Sequence, residues 1–443
     1  MIEDGGGSKK IALFLVKTKP MNATRSIVFA TIACLFFSLC AQAGIVSFTA
    51  SRETFLPGQQ VVLSWDVTAG DAISISPSVG TVSGTTGSVT VVPTADTTYL
   101  LTNATSGTTA SVSLSMHKAA TLKHRWSFNE GSGNTVIDSV AAVNGVIVPS
   151  SSTIPANQHS RSASMVTLPG GSSATRPYID LPNTSMSGLE EVTIEGWMTP
   201  IQPSGTNTRT WQRVFDFGTG TAGEVNSRGG TFSGVSYLFL ALQNGTNTGV
   251  KVPGIRDDST EQNISIADAI GYGAEFHFAY VYDLDGNAGS PQIRYYKNGV
   301  LMTSLNTPHL LTGIPFDNVW LGRSNWSADS NTQASYNEFR IWNRSMSAER
   351  VADNAAAGAD AFPTSVSIDS LTAFPALTIE SGQTARLSYV IANPSGGSFT
   401  ASINQGVGAV TGTEGFVSVT PTATTTYTLS VTAGAITRTA NVT

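Results

Sequence analysis

A chain of 443 residues is too long for one compact unit and suggests two to four domains at about 100 to 200 residues each. Only 12% of its residues are charged, the formal net charge is −6, and Gly, Ser and Thr are abundant, a composition that suits exported β-structure. The acidic balance excludes nucleic acid and anionic membranes as favoured partners.

Residues 1–20 read as an upstream translation start or a cloned extension and carry no structural signal. Met21–Ala43, MNATRSIVFATIACLFFSLCAQA, has one Arg, an apolar stretch and a terminal Ala-Gln-Ala, the pattern of a secretory signal peptide with cleavage after Ala43. The apolar run falls short of the roughly twenty residues a spanning helix needs, so no membrane insertion is expected after cleavage. Both cysteines, Cys34 and Cys40, lie inside this segment, and the mature chain is expected to have no disulfide. Leu39 before Cys40 argues against lipidation, because a small residue is needed there. Loss of the first 43 residues removes five basic and two acidic groups and makes the remainder still more acidic.

Two stretches then answer each other across the chain. Gly80–Leu101, GTVSGTTGSVTVVPTADTTYLL, aligns without a gap to Gly408–Leu429, GAVTGTEGFVSVTPTATTTYTL. Upstream, GQQVVLSW from Gly58 matches GQTARLSY from Gly382. A duplicated domain is therefore expected at 44–118 and 364–443, flanking a different one at 122–361. Short alternating runs separated by Gly, Ser and Asn turns predict about seven strands per copy, a small β-sandwich with Trp65, Tyr389, Tyr99 and Tyr427 in its cores. Both copies resemble bacterial immunoglobulin-like (Ig-like) domains in Gly-Gln-x-x-x-Leu-Ser-aromatic and Pro-Thr-Ala-x-Thr-Thr-Tyr-x-Leu. That resemblance implies spacing or adhesion without chemistry.

Across the centre, strands are predicted at Tyr178–Leu181, Val192–Trp197, Arg213–Gly218, Tyr237–Leu242, Phe276–Tyr282, Ile293–Tyr296 and Val319–Gly322, mostly separated by Gly, Asn, Asp or Pro turns. Two large packed sheets follow. One short helix is expected at Met346–Ala352, with Ser347 as cap and Glu349 at its positive end.

The opening Arg125-Trp126-Ser127-Phe128-Asn129-Glu130-Gly131, Asp138 with Asn144-Gly145, Ile194-Glu195-Gly196-Trp197, Tyr295-Tyr296-Lys297-Asn298-Gly299 and Asn337–Ser347 come in the order of a known pattern. They resemble the LamG-like jelly-roll family of the concanavalin A-like lectin/glucanase superfamily. The expected fold class is all-β, a central concanavalin A-like jelly-roll β-sandwich flanked by two small Ig-like β-sandwiches. The resemblance implies a bound calcium, with Asp138, Asn144 and Glu338 as the matching positions, although Val140-Ala141-Ala142-Val143 replaces the Gly- and Asn-rich middle of the family loop.

Other chemistry is sparse in the sequence. The Glu-x-Asp-x-x-Glu run of the glucanase branch is missing, so hydrolysis by that mechanism is not expected. The five histidines are scattered without an HExxH motif, and His277, between aromatics on a strand, reads as structural. Gly218–Gly223 satisfies GxGxxG, but no amphipathic helix follows to receive a phosphate. Asp283, Asp285 and Asn287 alternate oxygen donors as a calcium loop does, yet lack a closing Glu, and a hairpin turn is expected there. Trp326, in the polar run Ser324–Asn331, is the candidate for stacking on a sugar, with Asn325 and Asp329 beside it.

The expected function is non-catalytic binding of a polysaccharide or cell-surface glycan by a secreted or cell-surface protein. A structural or adhesive protein that binds other surface proteins is the alternative, and a glycoside hydrolase or a fragment of a larger polysaccharide-degrading enzyme is a third. The sequence stops inside an expected strand at Asn441-Val442-Thr443, which suggests a piece of something longer.

Overall fold

The computed structural model describes residues 44–68, 72–149, 158–202, 211–225, 230–245, 250–257, 260–287 and 289–443. The expected signal segment and residues 1–20 lie outside them, and none of the helices described is long and apolar enough to cross a membrane. As expected, the chain is all-β, with strands throughout and a single α-helix among the described residues.

At the amino end, strands Ile45–Ala50, Val61–Val67 and Thr86–Val91 form one sheet, and five strands between Thr54 and Met116 form a second. At the carboxyl end, Ser367–Phe374, Ala385–Ala392 and Glu414–Val419 pair in the same way, opposite a four-stranded sheet that closes on Ile436–Val442. Trp65, Tyr99, Tyr389 and Tyr427 are buried in these two cores.

Both copies make room for the core aromatic with a glycine on the neighbouring strand. Trp65 pairs with Gly87 and Tyr389 with Gly415, and a Cβ placed on these glycines would lie 2.3 Å from Trp65 Cζ2 and 2.5 Å from Tyr389 Oη. Gly87→Val is therefore expected to push the indole out and destabilise this sandwich by about 1–3 kcal/mol in urea unfolding. Unchanged stability would mean that the ring has another place to go.

The central body is two sheets face to face. The nine-stranded sheet runs in the order Thr135–Val136, Gly145–Val148, Tyr178–Leu181, Asn318–Leu321, Arg213–Gly220, Gly234–Ala241, Val250–Asp257, Gln262–Asn263, with Ile266–Ala267 also paired to Val250–Asp257. The eight-stranded sheet places Ser330–Trp342 and Val192–Pro200 at its centre, beside Phe276–Asn287. Alternation along each strand sends Phe215, Phe217, Leu238 and Leu240 inward from one sheet, to meet Tyr280, Phe278 and Phe339 from the other. Phe215 lies edge-on to Tyr280 at 5.5 Å, and Phe217 meets Phe339 at 5.9 Å. Neighbouring residues on the same strands consequently point away from the core, and the outer faces carry the polar chemistry.

Three expectations are adjusted. The helix spans Ala348–Ala357, longer than expected; Ser347 Oγ caps Arg350 N at 3.3 Å and Gly358, at φ +86°, ends it. Within the added turn, Asn354 is buried and bonded to Glu195. Asp283–Asn287 is not itself the turn but the irregular end of a strand, where Asn287 pairs with Ser290; Asp283 and Asp285 are paired with Arg294 and Arg52. Finally, the strand through Gly218 simply continues to Gly220, which bridges Gly223.

Ion pairs tie the outer bodies to the centre: Arg52 to Asp285 at 2.5 Å, Arg350 to Asp369 at 2.9 Å and Arg438 to Glu349 at 2.9 Å.

Candidate functional site

On the outer face of the nine-stranded sheet, Asp216 stands between its strand neighbours Trp320 and Phe239. It alternates with the inward Phe215 and Phe217, so the strand pattern itself turns an acid away from the core. Asp216 is fully buried nonetheless. Its Oδ2 accepts from Arg213 Nε at 3.0 Å and Asn325 N at 3.1 Å, and its Oδ1 accepts from Asn325 Nδ2 at 2.8 Å. Burial raises its pKa against the pull of Arg213.

These bonds hold the loop that carries Trp326. Asn325 Oδ1 accepts from Asn318 Nδ2 at 3.0 Å, which fixes the loop to the adjacent strand. Trp326 N donates to Ser324 Oγ at 3.0 Å, and its indole Nε1 donates to Tyr237 Oη at 3.0 Å. Tyr237 in turn donates to Glu261 Oε2 at 2.5 Å. Gly234 leaves the space the indole needs, since a Cβ there would lie 2.5 Å from Trp326 Nε1. The ring is thus set by a hydrogen-bond chain beneath it, with its loop pinned to the sheet.

Asp329 closes the loop. Its Oδ2 accepts from Ser324 Oγ at 2.7 Å and lies 3.4 Å from Arg213 Nη2, and burial raises its pKa to about 6 despite that cation. The Arg213 guanidinium lies 4.3 Å over Phe239 and 5.4 Å from Trp211. Trp211 and Trp326, both half-buried, pack on the same cluster of Tyr237, Phe239, Ala241 and Val252. Two half-buried tryptophans share this surface, with Arg213 and Asp216 buried beneath it and Asp329 at its edge, and aromatic faces are the groups that bind the apolar side of a ring.

The structure brings Trp326, Asn325 and Asp329 together around Arg213, but Asn325 is wholly buried and acts as the loop's anchor. Trp211, Arg213, Asp216, Tyr237 and Glu261 were not singled out from the sequence. For Asp216 a signal existed, an acid at the outward position of Val-Phe-Asp-Phe-Gly; for Trp211 none did.

Further along the same face, the Arg323 guanidinium lies 4.3 Å from the Tyr178 ring and 4.5 Å from Trp320. Asp180, which pairs with Trp320 across the strands, has its pKa pushed up to about 7 by burial, against the Arg323 charge.

The residues matched to a calcium site do not fit the ion. Asp138 Oδ2 is 2.7 Å from His124 Nδ1, and its Oδ1 accepts from Arg125 N and Val140 N at 3.1 and 3.0 Å. Asn144 Oδ1 accepts from Asp138 N at 3.0 Å. Glu338 is paired with two cations, Arg125 at 2.9 Å and Arg340. Calcium needs six to eight oxygens that are free to turn toward it, and these are held by N–H donors. At the second candidate, Asp283 faces Arg294 at 2.8 Å and Asp285 faces Arg52, while Asn287 sits exposed at the hairpin end. No group of three or more His, Cys, Asp or Glu among the described residues is arranged to hold a metal.

Comparison with known proteins bears on the central body. A family model described as the concanavalin A-like lectin/glucanases superfamily matches residues 173–352. Among solved structures, the chain is similar to domain 4 of AbnA, a GH43 extracellular arabinanase from Geobacillus stearothermophilus, in complex with arabinotriose. Identity is 17%, coverage 53% of this chain and 98% of that one, and the TM-score 0.38. It is also similar to botulinum neurotoxin type C, whose cell entry depends on two ganglioside molecules, at 11% identity, 72% of each chain and a TM-score of 0.37. Trypanosoma rangeli sialidase in complex with 2,3-difluorosialic acid matches at 9% identity, 52% of this chain, 32% of that one and a TM-score of 0.36. No curated protein matches the sequence. The two antiparallel sheets packed face to face across residues 173–352 agree with the match of that segment to the concanavalin A-like lectin/glucanases superfamily model.

Proposed function

We propose that this is an exported, non-catalytic glycan-binding protein whose ligand lies on the outer face of the nine-stranded sheet, against Trp326 and Trp211. The outer sandwiches, read as Ig-like spacers, hold that face away from whatever surface the protein occupies. The observation that carries this reading is the fixed orientation of Trp326. Its indole N–H is spent on Tyr237, its loop is anchored through Asn325 to Asp216, and its ring is left half-buried at the surface. A binding platform set before the ligand arrives loses little entropy on association. The superfamily of the central segment favours a carbohydrate over other ligands with an apolar side. Export is read from Met21–Ala43, outside the described residues. A non-catalytic role is favoured because Asp216 and Asp329 are both committed to Arg213 and the loop.

A panel of plant, microbial and host glycans, probed with parent and Trp326→Ala proteins, tests this. At least one polysaccharide is expected to bind the parent, with affinity falling about ten-fold or more in the variant as the stacking face is lost. Equal binding by both proteins, or retention of a surface protein with no glycan bound, would replace this reading with adhesion elsewhere. Release of reducing sugar from any panel member would make it an enzyme.

A further inference from the structure

The two outer sandwiches share a sequence pattern but are not finished alike at one end. In both, a glutamine closes the turn before the central strand of the three-stranded sheet. Gln59 N donates to Leu56 O at 2.9 Å and Gln59 Oε1 accepts from Leu56 N at 2.8 Å; Gln383 repeats both bonds to Glu380, at 3.0 and 3.1 Å. That shared turn fixes the residues around it as equivalents, so Phe55 corresponds to Ile379 and Val61 to Ala385. In the amino-terminal copy, Thr54–Phe55 is a short strand paired in parallel with Ser115–Met116, and Phe55, only 1% exposed, fills the end of the core.

The carboxyl-terminal copy lacks that filling. Ile379 and Ala385 are smaller than the residues they match, and residues 378–379 pair with no strand among the described residues. An open cleft of about 510 Å³ takes the place, lined by Leu377, Ile379, Ala385, Leu387, Tyr427 and Val442 among others. Pockets of this size accept a group well beyond a single methyl or water. At its rim Leu377 is 59% exposed, where the first copy carries the exposed acid Glu53. Glu380 is the one charged residue of the lining, so a charged group brought to the centre of the cleft would lose water without a paired partner. The strand Ile436–Val442 is an edge of its four-stranded sheet, and an edge offers main-chain N–H and C=O groups to an added strand.

We propose that this cleft receives an extended segment of a partner protein, added as a strand beside Ile436–Val442, with an aromatic side chain in the space that Phe55 fills in the other copy. The occupant is identified by the first sandwich, which seats a two-residue strand bearing a phenylalanine at the matching place. Main-chain bonds supply the affinity of such a pairing, and the cavity supplies its preference for an uncharged aromatic. The site lies on the carboxyl-terminal sandwich and does not involve Trp326.

The full chain is titrated with a fluorescein-labelled peptide Arg-Glu-Thr-Phe-Leu-Pro, copied from residues 52–57, and with the same peptide carrying Ser for Phe, and binding is read by anisotropy. The first peptide is expected to bind saturably and the second not to bind. Leu377→Glu, an exposed change to the residue of the first copy, is expected to weaken binding about ten-fold. Ile379→Phe with Ala385→Val copies the filling of the first sandwich and is expected to abolish it. The proposal is overturned if no saturable binding is seen, if the Ser peptide binds equally, or if the doubly substituted protein binds like the parent. Sedimentation of the parent as a dimer that Leu377→Glu dissolves would assign the cleft to a second copy of this chain and overturn it as well.

Discussion

Replacing Arg340 with alanine is expected to lower the unfolding free energy of the central body by about 3–5 kcal/mol, the usual cost of leaving a buried charge without its partner. Arg340 is fully buried and sits between two fully buried acids. Its Nη1 is 3.3 Å from Glu195 Oε1, its Nε is bonded to Glu338, and its Nη2 donates to Ala361 O at 2.9 Å. The guanidinium also lies 4.5 Å from Trp197 and 4.2 Å from Phe362, which carries the chain over this face toward the last sandwich. Without it, Glu338 keeps Arg125 and Glu195 keeps His277, Trp342 and Asn354, but the charge balance between the two acids is gone. Urea unfolding at neutral pH measures the loss. A change under about 1 kcal/mol would show that water reaches these acids and that the network is not a dry one.

The second large effect is in the pH dependence. Asp180 has a pKa of about 7 in the folded protein against 3.8 as a free side chain, so the folded state holds this proton more tightly than the unfolded one. The stability this group contributes is fully present below about pH 3.8 and is lost as pH rises through about 7. Asp180→Asn removes the titration while keeping the shape. The variant is expected to match the parent near pH 3.5 and to exceed it by roughly 2–4 kcal/mol at pH 8, since a pKa unit corresponds to about 1.4 kcal/mol. Buried His117 and Glu191 act in opposite senses over the same window, at about 4 and about 7, so the difference between the two proteins is the cleaner reading. Curves that stay parallel from pH 3.5 to 8 would mean that Asp180 titrates as an ordinary surface acid.

Period-two alternation and glycine-bearing turns make seven strands of the central body legible, but not Gly145–Val148, Val166–Ser172, Val250–Asp257 or Val300–Asn306. What alternation does not report is which residues meet across long sequence distances. Asp138 reads as a loop acid; its partner His124, fourteen residues away, lies in the strand Leu122–Trp126 that Asp138 bridges. Glu338 looked like an ion ligand because of its place in a family pattern, yet its neighbours Arg125 and Arg340 give it cations of its own. The Trp326 loop was legible as an oddity, a tryptophan in a polar run. The reason it stands as it does was not, because Asp216, Tyr237 and Glu261 come from three separate strands or loops. Sequence also gives no warning that Trp211, at φ +49°, shares the surface.

The central claim is that the ligand face belongs to the nine-stranded sheet. A crystal structure of the central body with an oligosaccharide from whichever glycan binds tests it most directly. The sugar ring is expected in van der Waals contact, about 4 Å, with the Trp326 indole. A sugar lodged on either outer sandwich, or on the helix side of the eight-stranded sheet with Trp326 bare, would contradict the account.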